Sequence, residues 1–172
     1  MQAMIHNEVV DAILERRSVR AYTDERLTES ELQTIVQCAL WAPSALNQQT
    51  TRIVATQDAA LIAELAEDAG RSGFYYQAPC FLFFYAKKEN KWGACNAALA
   101  VENAALAAKA LGLDSVVIGC VYDYLKSQEG EQKWQKKLQL PQDYEFVLGL
   151  AVGHGSEAPQ AKPRNQENII WK

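Results

Sequence analysis

The chain has 172 residues, 49% hydrophobic and 22% charged, with 17 basic against 21 acidic side chains and a formal net charge of −4. That length suits one domain with its own core, 1–172, and the composition excludes a disordered or collagen-like chain. The acidic balance argues against a nucleic-acid partner, so an anion must be captured by a local cluster of cations, and no uninterrupted apolar run reaches the ~18 residues of a membrane span.

The stretch 1–7 lacks the basic start, apolar segment and small-residue cleavage site of a secretory signal, which gives the expectation of a cytoplasmic protein. Val10, Ile13 and Leu14 then repeat at helical spacing, predicting a first helix over 8–17 capped by Asn7. A second begins at the Thr28-x-x-Glu31 capping box, follows the stripe Leu32, Ile35, Val36, Ala39, Leu40, and stops at Pro43. The polar run 44–49 is expected to be a loop. Positions 51–56 read as a strand, and Asp58 caps a helix to about position 68. The stretch 70–79 reads as irregular. Residues 80–86 are almost continuously apolar or aromatic, which predicts a central strand covered on both faces.

The run 97–111 is interrupted only by Glu102, Asn103 and Lys109 and predicts a helix buried nearly all round, ended by Gly112. A β-branched strand over 115–121 follows, then one helix over 124–138 weakened by Gly130, a strand over 145–152, a loop over 153–163 and an apolar, extended tail at 168–171. Gly-Leu-Ala-Val-Gly-His-Gly at 149–155 imitates a dinucleotide fingerprint but has no helix after it, so its glycines read as strand-end turn residues. Cys38, Cys80, Cys95 and Cys120 have no metal-ligand spacing and read as buried thiols; no metal site is expected. His6 and His154 read as surface or turn residues. Two helices before the first strand fit an α+β domain better than a doubly wound one.

Two motifs carry chemistry. Arg16-Arg17-Ser18-Val19-Arg20 packs three guanidinium groups and a hydroxyl behind a helix C-terminus, whose dipole repels anions, so side-chain cations must do the work of an amide cradle. The alternative reading is that Arg16 and Arg17 cap the last carbonyls of that helix. Pro43-Ser44-Ala45-Leu46-Asn47-Gln48-Gln49 gathers amide side chains after a helix end and, with the arginine run, looks like a site for a phosphate-bearing aromatic cofactor; its alternative is a plain Asx-capped turn.

In their order, Arg-Arg-Ser-Val-Arg-x-Tyr, the capped helix, Ala-Pro-Ser-Ala-x-Asn-x-Gln, the Ala-rich helix ending Leu-Gly-Leu, the strand ending Ile-Gly, and Lys-Pro-Arg resemble the nitroreductase family of FMN-dependent oxidoreductases over about positions 9 to 164. The resemblance implies a central mixed, mainly antiparallel sheet flanked by helices, a homodimer with two FMN molecules at its interface, and C-terminal segments exchanged between subunits. It implies Arg16 and Ser18 on the FMN phosphate with Arg17 in or beside the cluster, Lys162 and Arg164 converging from the other end, and Arg20 beside the pyrimidine ring. Pro43, Ser44, Ala45, Asn47 and Gln49 would contact FMN from the second subunit, and Ile118 and Gly119 would lie under the ring, with the Gly119 backbone near N5. No side-chain acid or nucleophile is required, since the cofactor carries the chemistry.

The activity implied is ping-pong hydride transfer from NADH or NADPH through FMN to a small-molecule acceptor such as a nitroaromatic or quinone. Dehydrogenation or flavin supply on the same fold, and a non-catalytic phospholigand-binding module, are the competing readings. The chain departs from the family where Thr50-Thr51 replace a frequent Pro-Trp, and where Trp92, Gly93 and Ala94 stand near a frequent acidic residue. Only about ten residues separate the 80–86 strand from the Ala-rich helix, so the helical insertion that covers the pocket in longer members is expected to be absent.

Overall fold

A computed structural model describes residues 4–172; Met1 to Ala3, within the stretch read for a signal, lie outside the described residues. Strand β2 (Cys80–Lys87) sits inside a four-stranded sheet, between β1 (Arg52–Thr56) and β4 (Tyr144–Gly153), with β3 (Asp114–Ile118) beyond β4. All three pairings are antiparallel, and the parallel element is a single bridge between Ser18 and Ser115. From Cys80 to Ala86 no side chain is more than 2% exposed, as expected of a strand wet on neither side.

The alternation of β2 divides the core. Phe81, Phe83 and Tyr85 face helices α3 (Ala59–Asp68), α5 (Tyr122–Leu125) and α6 (Gln128–Lys137), where Trp134 is fully buried. Cys80, Leu82 and Phe84 face α2 (Glu29–Leu40) and α4 (Gly93–Ala110). Two cores back to back on one sheet make a three-layer domain.

Local signals set most boundaries. Thr28 Oγ1 accepts from the Glu31 N–H at 3.2 Å while Glu31 Oε2 accepts from the Thr28 N–H at 2.7 Å, the reciprocal box expected at the start of α2. Gly112, at φ +78, closes α4 with the Leu113 N–H on the Ala108 carbonyl and its own on that of Lys109.

Tertiary contacts moved other boundaries. The first helix, α1 (Glu8–Glu15), ends two residues early because the chain turns extended at Arg16 and the Val19 N–H pairs with the Ser115 carbonyl at 3.1 Å. α4 begins four residues earlier than its Ala-rich run, at Gly93, where a Cβ would stand 3.0 Å from that of Ala86. β3 stops at Ile118 because the Gly119 carbonyl accepts the Tyr122 N–H, opening α5. The single helix expected over 124–138 is two, broken at Ser127, whose hydroxyl donates to the Tyr124 carbonyl and accepts the Gly130 N–H. Gly130 is no weakness in this setting. A Cβ there would lie 2.1 Å from the Tyr124 carbonyl oxygen.

The glycines at 149–155 also have a different role from the turns expected of them. Gly149 lies mid-strand, where a Cβ would meet Phe81 Cζ at 2.3 Å, and Gly153 and Gly155 are crowded by Pro79 and Asp114. Of the cysteines only Cys80 is buried, its thiol pushed up to about 12 by desolvation; Cys38 is half-buried, Cys95 and Cys120 exposed. His6 pairs with Asp11 at 2.6 Å on the surface, and half-buried His154 lies 3.8 Å from Glu25.

Several apolar faces are left bare within one chain. α1 buries none of its residues, with Ile13 51% exposed, and α4 is bare along Cys95, Ala98 and Leu99 rather than buried all round. The tail does not pack on its own chain: Asn168 ends a 3₁₀ turn, and Trp171 beyond it is 88% exposed. No described helix is long and apolar enough to cross a membrane.

Two stability outcomes follow. Replacing Gly149 by alanine drives a methyl into Phe81, itself held edge-on by Phe74 and Phe83, and is expected to cost about 3 kcal/mol in denaturant unfolding. Thr28→Ala is expected to cost about 1 kcal/mol at neutral pH. The Thr28 hydrogen bonds hold the Glu31 carboxyl below its ordinary range, so that stability is fully present above about pH 4.3 and is lost as pH falls through the lowered folded value. The gap between wild type and Thr28→Ala should therefore narrow in melts taken at pH 3.

Candidate functional site

The end of α1 and the edge of β3 together place the cationic run. Once Val19 is fixed on Ser115 and buried, Arg16 and Ser18 stand half-buried on one side of it and Arg20 is exposed on the other. Arg17 turns back, its Nη1 donating to the carbonyls of Leu14 at 2.7 Å and Arg16 at 2.8 Å. Of the two readings open to these arginines, the capping one therefore describes Arg17 but not Arg16. Arg16 Nε is buried with no hydrogen-bond partner among the described residues, and the carboxylate nearest it in an ion pair, Glu102, is 3.8 Å away. A buried cationic donor in that state needs an acceptor, and a phosphate oxygen is the acceptor its charge and geometry suit.

Residues 20–23 form a short ladder with 154–157. The Arg20 N–H donates to Glu157 Oε1, the Ser156 N–H to the Ala21 carbonyl and the Thr23 N–H to the His154 carbonyl, with an antiparallel bridge between Tyr22 and Gly155. This ladder ties the N-terminal run to the segment that carries Lys162 and Arg164. Both of those side chains are exposed, and no hydrogen bond joins either to Arg16 or Ser18 among the described residues. Arg20 Nη1 donates to the Ser18 carbonyl at 3.3 Å, while its guanidinium lies 6.0 Å from the centre of the Tyr76 ring.

Beside Arg20 is a cavity of about 300 Å³ also lined by Tyr22, Gly73, Tyr76 and Gln77. Sequence reasoning missed Tyr76 and Gln77, which lie in the irregular stretch at φ +55° and +60°. Nothing in the local sequence marks two non-glycine residues for the left-handed region. Tyr22 donates to the Val19 carbonyl at 2.7 Å; burial first, then Asp114 and Glu157, push its hydroxyl well above the ordinary tyrosine range, so it stays protonated.

Ile118 and Gly119 follow at the end of β3. The Ile118 side chain is buried in the core, which leaves only its backbone for a ligand. A Cβ on Gly119 would find just Leu148 Cδ2, at 4.0 Å, so its outer side is open to the close approach of a flat ring.

The 43–49 loop is built separately. The Ser44 carbonyl accepts the Asn47 N–H and Ser44 Oγ the Gln49 N–H at 2.9 Å each, and Asn47 Oδ1 accepts from Gln49 Nε2 at 3.1 Å. Leu46, Asn47 and Gln49 all have φ near +53°. Pro43, Ser44 and Gln49 line a cavity of about 250 Å³ with Asn96 of α4, and Ala45 lines a larger one with Trp92. The loop meets α4 at Asn96 and Arg16 meets it at Glu102. Six residues on a helix are about 9 Å along the axis and about 120° around it, so one chain presents its cations and its amide loop in different directions.

The nitroreductase family model matches residues 13–73 and 67–154. A protein of Bacillus subtilis (strain 168) named FMN reductase (NAD(P)H) is 32% identical over 187 aligned residues, covering 95% of this chain and 72% of the relative. The NADPH-flavin oxidoreductase of Vibrio harveyi is 27% identical, with the same two coverages. A nitroreductase with bound FMN from Bacteroides fragilis NCTC 9343 shares the fold with a TM-score of 0.89 at 24% identity, over 97% of this chain and all of the other. With the family model spanning most of the chain and a 32% identical relative covered to 72% of its length, on the three-layer fold described above, the chain belongs to the nitroreductase family.

Proposed function

We propose that this chain is an FMN-dependent NAD(P)H oxidoreductase acting as a homodimer by a ping-pong sequence in which one pocket serves both the nicotinamide donor and an oxidised acceptor. The observation that carries the reading is the buried, unpartnered Nε of Arg16 beside Ser18, inside the segment that matches the family. Arg16 and Ser18 hold the FMN phosphate, and Lys162 and Arg164 close on it from the loop that the 20–23 ladder anchors. Arg20 sits at the pyrimidine edge, where a cation favours negative charge at N1 and O2, and Gln77 lines the same cavity.

When bound, FMN would supply the hydride-accepting and hydride-donating chemistry, and Gly119, with only Leu148 Cδ2 within 4.0 Å of a Cβ there, would admit its ring to the backbone. The chain's own part is to orient that ring, keep one face covered and leave the other free for stacking. Asn47, Gln49 and Ser44 contact the ring from a second copy. Support for the pairing comes from the different directions of the two clusters, from the bare faces of α1 and α4, and from β1, which pairs only with β2 among the described residues and so leaves an edge for an exchanged tail.

The name FMN reductase on the 32% identical relative favours one variant of this reading, in which free flavin is itself the acceptor. Steady-state rates with NADH or NADPH and either free FMN or a nitroaromatic decide between them. Purified protein is expected to be yellow and to sediment as a dimer, and anaerobic NADH or NADPH to bleach it; colourless protein that stays so after reconstitution with FMN overturns the proposal.

Each charge-assisted phosphate bond contributes on the order of 1.5–3 kcal/mol, so Arg16→Ala is expected to weaken FMN tens-fold in fluorescence titrations while the apo-protein melt changes little. The same substitution at Arg17, whose guanidinium is committed to α1, should cost much less FMN affinity.

A further inference from the structure

The amide loop is held to the rest of the fold by a side chain that neither the motif nor the sequence reading included. Asn96, in the first turns of α4, is 4% exposed, and its Oδ1 accepts the Ala45 N–H at 3.1 Å across a sequence gap of 51 residues. The other bonds described above run within the loop. Asn90 adds a more exposed link, from Nδ2 to the side chains of Gln48 and Thr50. Asn96 is thus the one buried side chain that grips the loop's backbone among the described residues.

The grip has work to do. Three non-glycine residues of this loop, Leu46, Asn47 and Gln49, occupy the left-handed region, each at a cost of roughly 1–2 kcal/mol, so the loop needs external contacts to hold this shape. The orientation of the Asn96 amide follows from its partner: a backbone N–H requires the oxygen, which leaves Nδ2 buried with no hydrogen-bond partner among the described residues. A burial that leaves one donor unsatisfied is expensive to keep for packing alone.

We infer that Asn96 is a positioning residue for the cofactor site: through Oδ1 it fixes Ala45, and through Ala45 it sets where Asn47 and Gln49 meet the ring bound by the second copy. The inference rests on the proposed role of the loop in FMN binding. It assigns the function to one atom. Aspartate at position 96 retains the acceptor and drops the unsatisfied donor.

The test uses the dimeric, FMN-loaded protein. Asn96→Leu, which removes the acceptor and keeps water out of its place, is expected to weaken FMN about tenfold and to change the visible circular dichroism of the bound flavin. Asn96→Asp should stay within about threefold of wild type and keep its dichroism, because the Ala45 bond survives. If Asn96→Leu does not fold, Asn96→Ala, which suits an alanine-rich helix, takes its place. Combined with Asn47→Ala, the loss should be far less than the product of the two single losses, since both act through one loop. A lowered melting temperature with unchanged FMN affinity and dichroism overturns the inference, as does an Asp variant no better than Leu. Should Asn47→Ala also leave the flavin untouched, the role given to the loop falls with it; should Asn47→Ala alone perturb the flavin, only the inference about Asn96 falls.

Discussion

A strand that can be wet on neither face constrains everything around it. β2 places Phe81, Phe83 and Tyr85 on one side and Leu82 and Phe84 on the other, and each such side chain is worth about 2 kcal/mol when removed from water. Helices must then cover both sides. The α2 and α4 layer on one side and the α3, α5 and α6 layer on the other are the response, and the first of them positions both candidate site motifs. α2 ends at the amide loop, and α4 runs beneath both that loop and the arginine run.

The same packing sets where the two motifs stand on α4. The arginine run meets α4 at Glu102 and the amide loop meets it at Asn96, six residues apart on the helix, so two motifs 31 positions apart in sequence contact different parts of one element. The faces left bare on α1, α4 and the tail are the ones that the proposed pairing would cover. The layer that buries β2 also leaves the Cys95, Ala98 and Leu99 face of α4 bare, the surface on which the proposed pairing rests.

Small residues do a different job here from the one their chemistry suggests in isolation. Gly130 and Gly149 are set by what stands opposite them, the Tyr124 carbonyl and the Phe81 ring, and not by backbone freedom. The cysteines follow the same logic. Cys38 and Cys95 lie on incompletely covered faces of α2 and α4 and Cys120 in the turn after β3, so only Cys80, on the doubly covered strand, is buried.

The capping box at Thr28, the Asp58 cap, the all-apolar run of β2, the Gly112 stop and the family motifs were legible because each depends on neighbours within a turn or two of chain. Those features determined the order of elements, the central strand and the residues with the chemistry of a phosphate and flavin site. What only the tertiary structure decided involves partners far apart in sequence: the end of α1 at Arg16, taken over by pairing with β3; the break at Ser127; the diversion of Arg17 to helix carbonyls; the presence of Tyr76 and Gln77 beside Arg20; and the hold of Asn96 on Ala45. Local sequence encodes propensity and periodicity, whereas a hydrogen bond across 51 residues or a ring against a glycine exists only after the layers have packed.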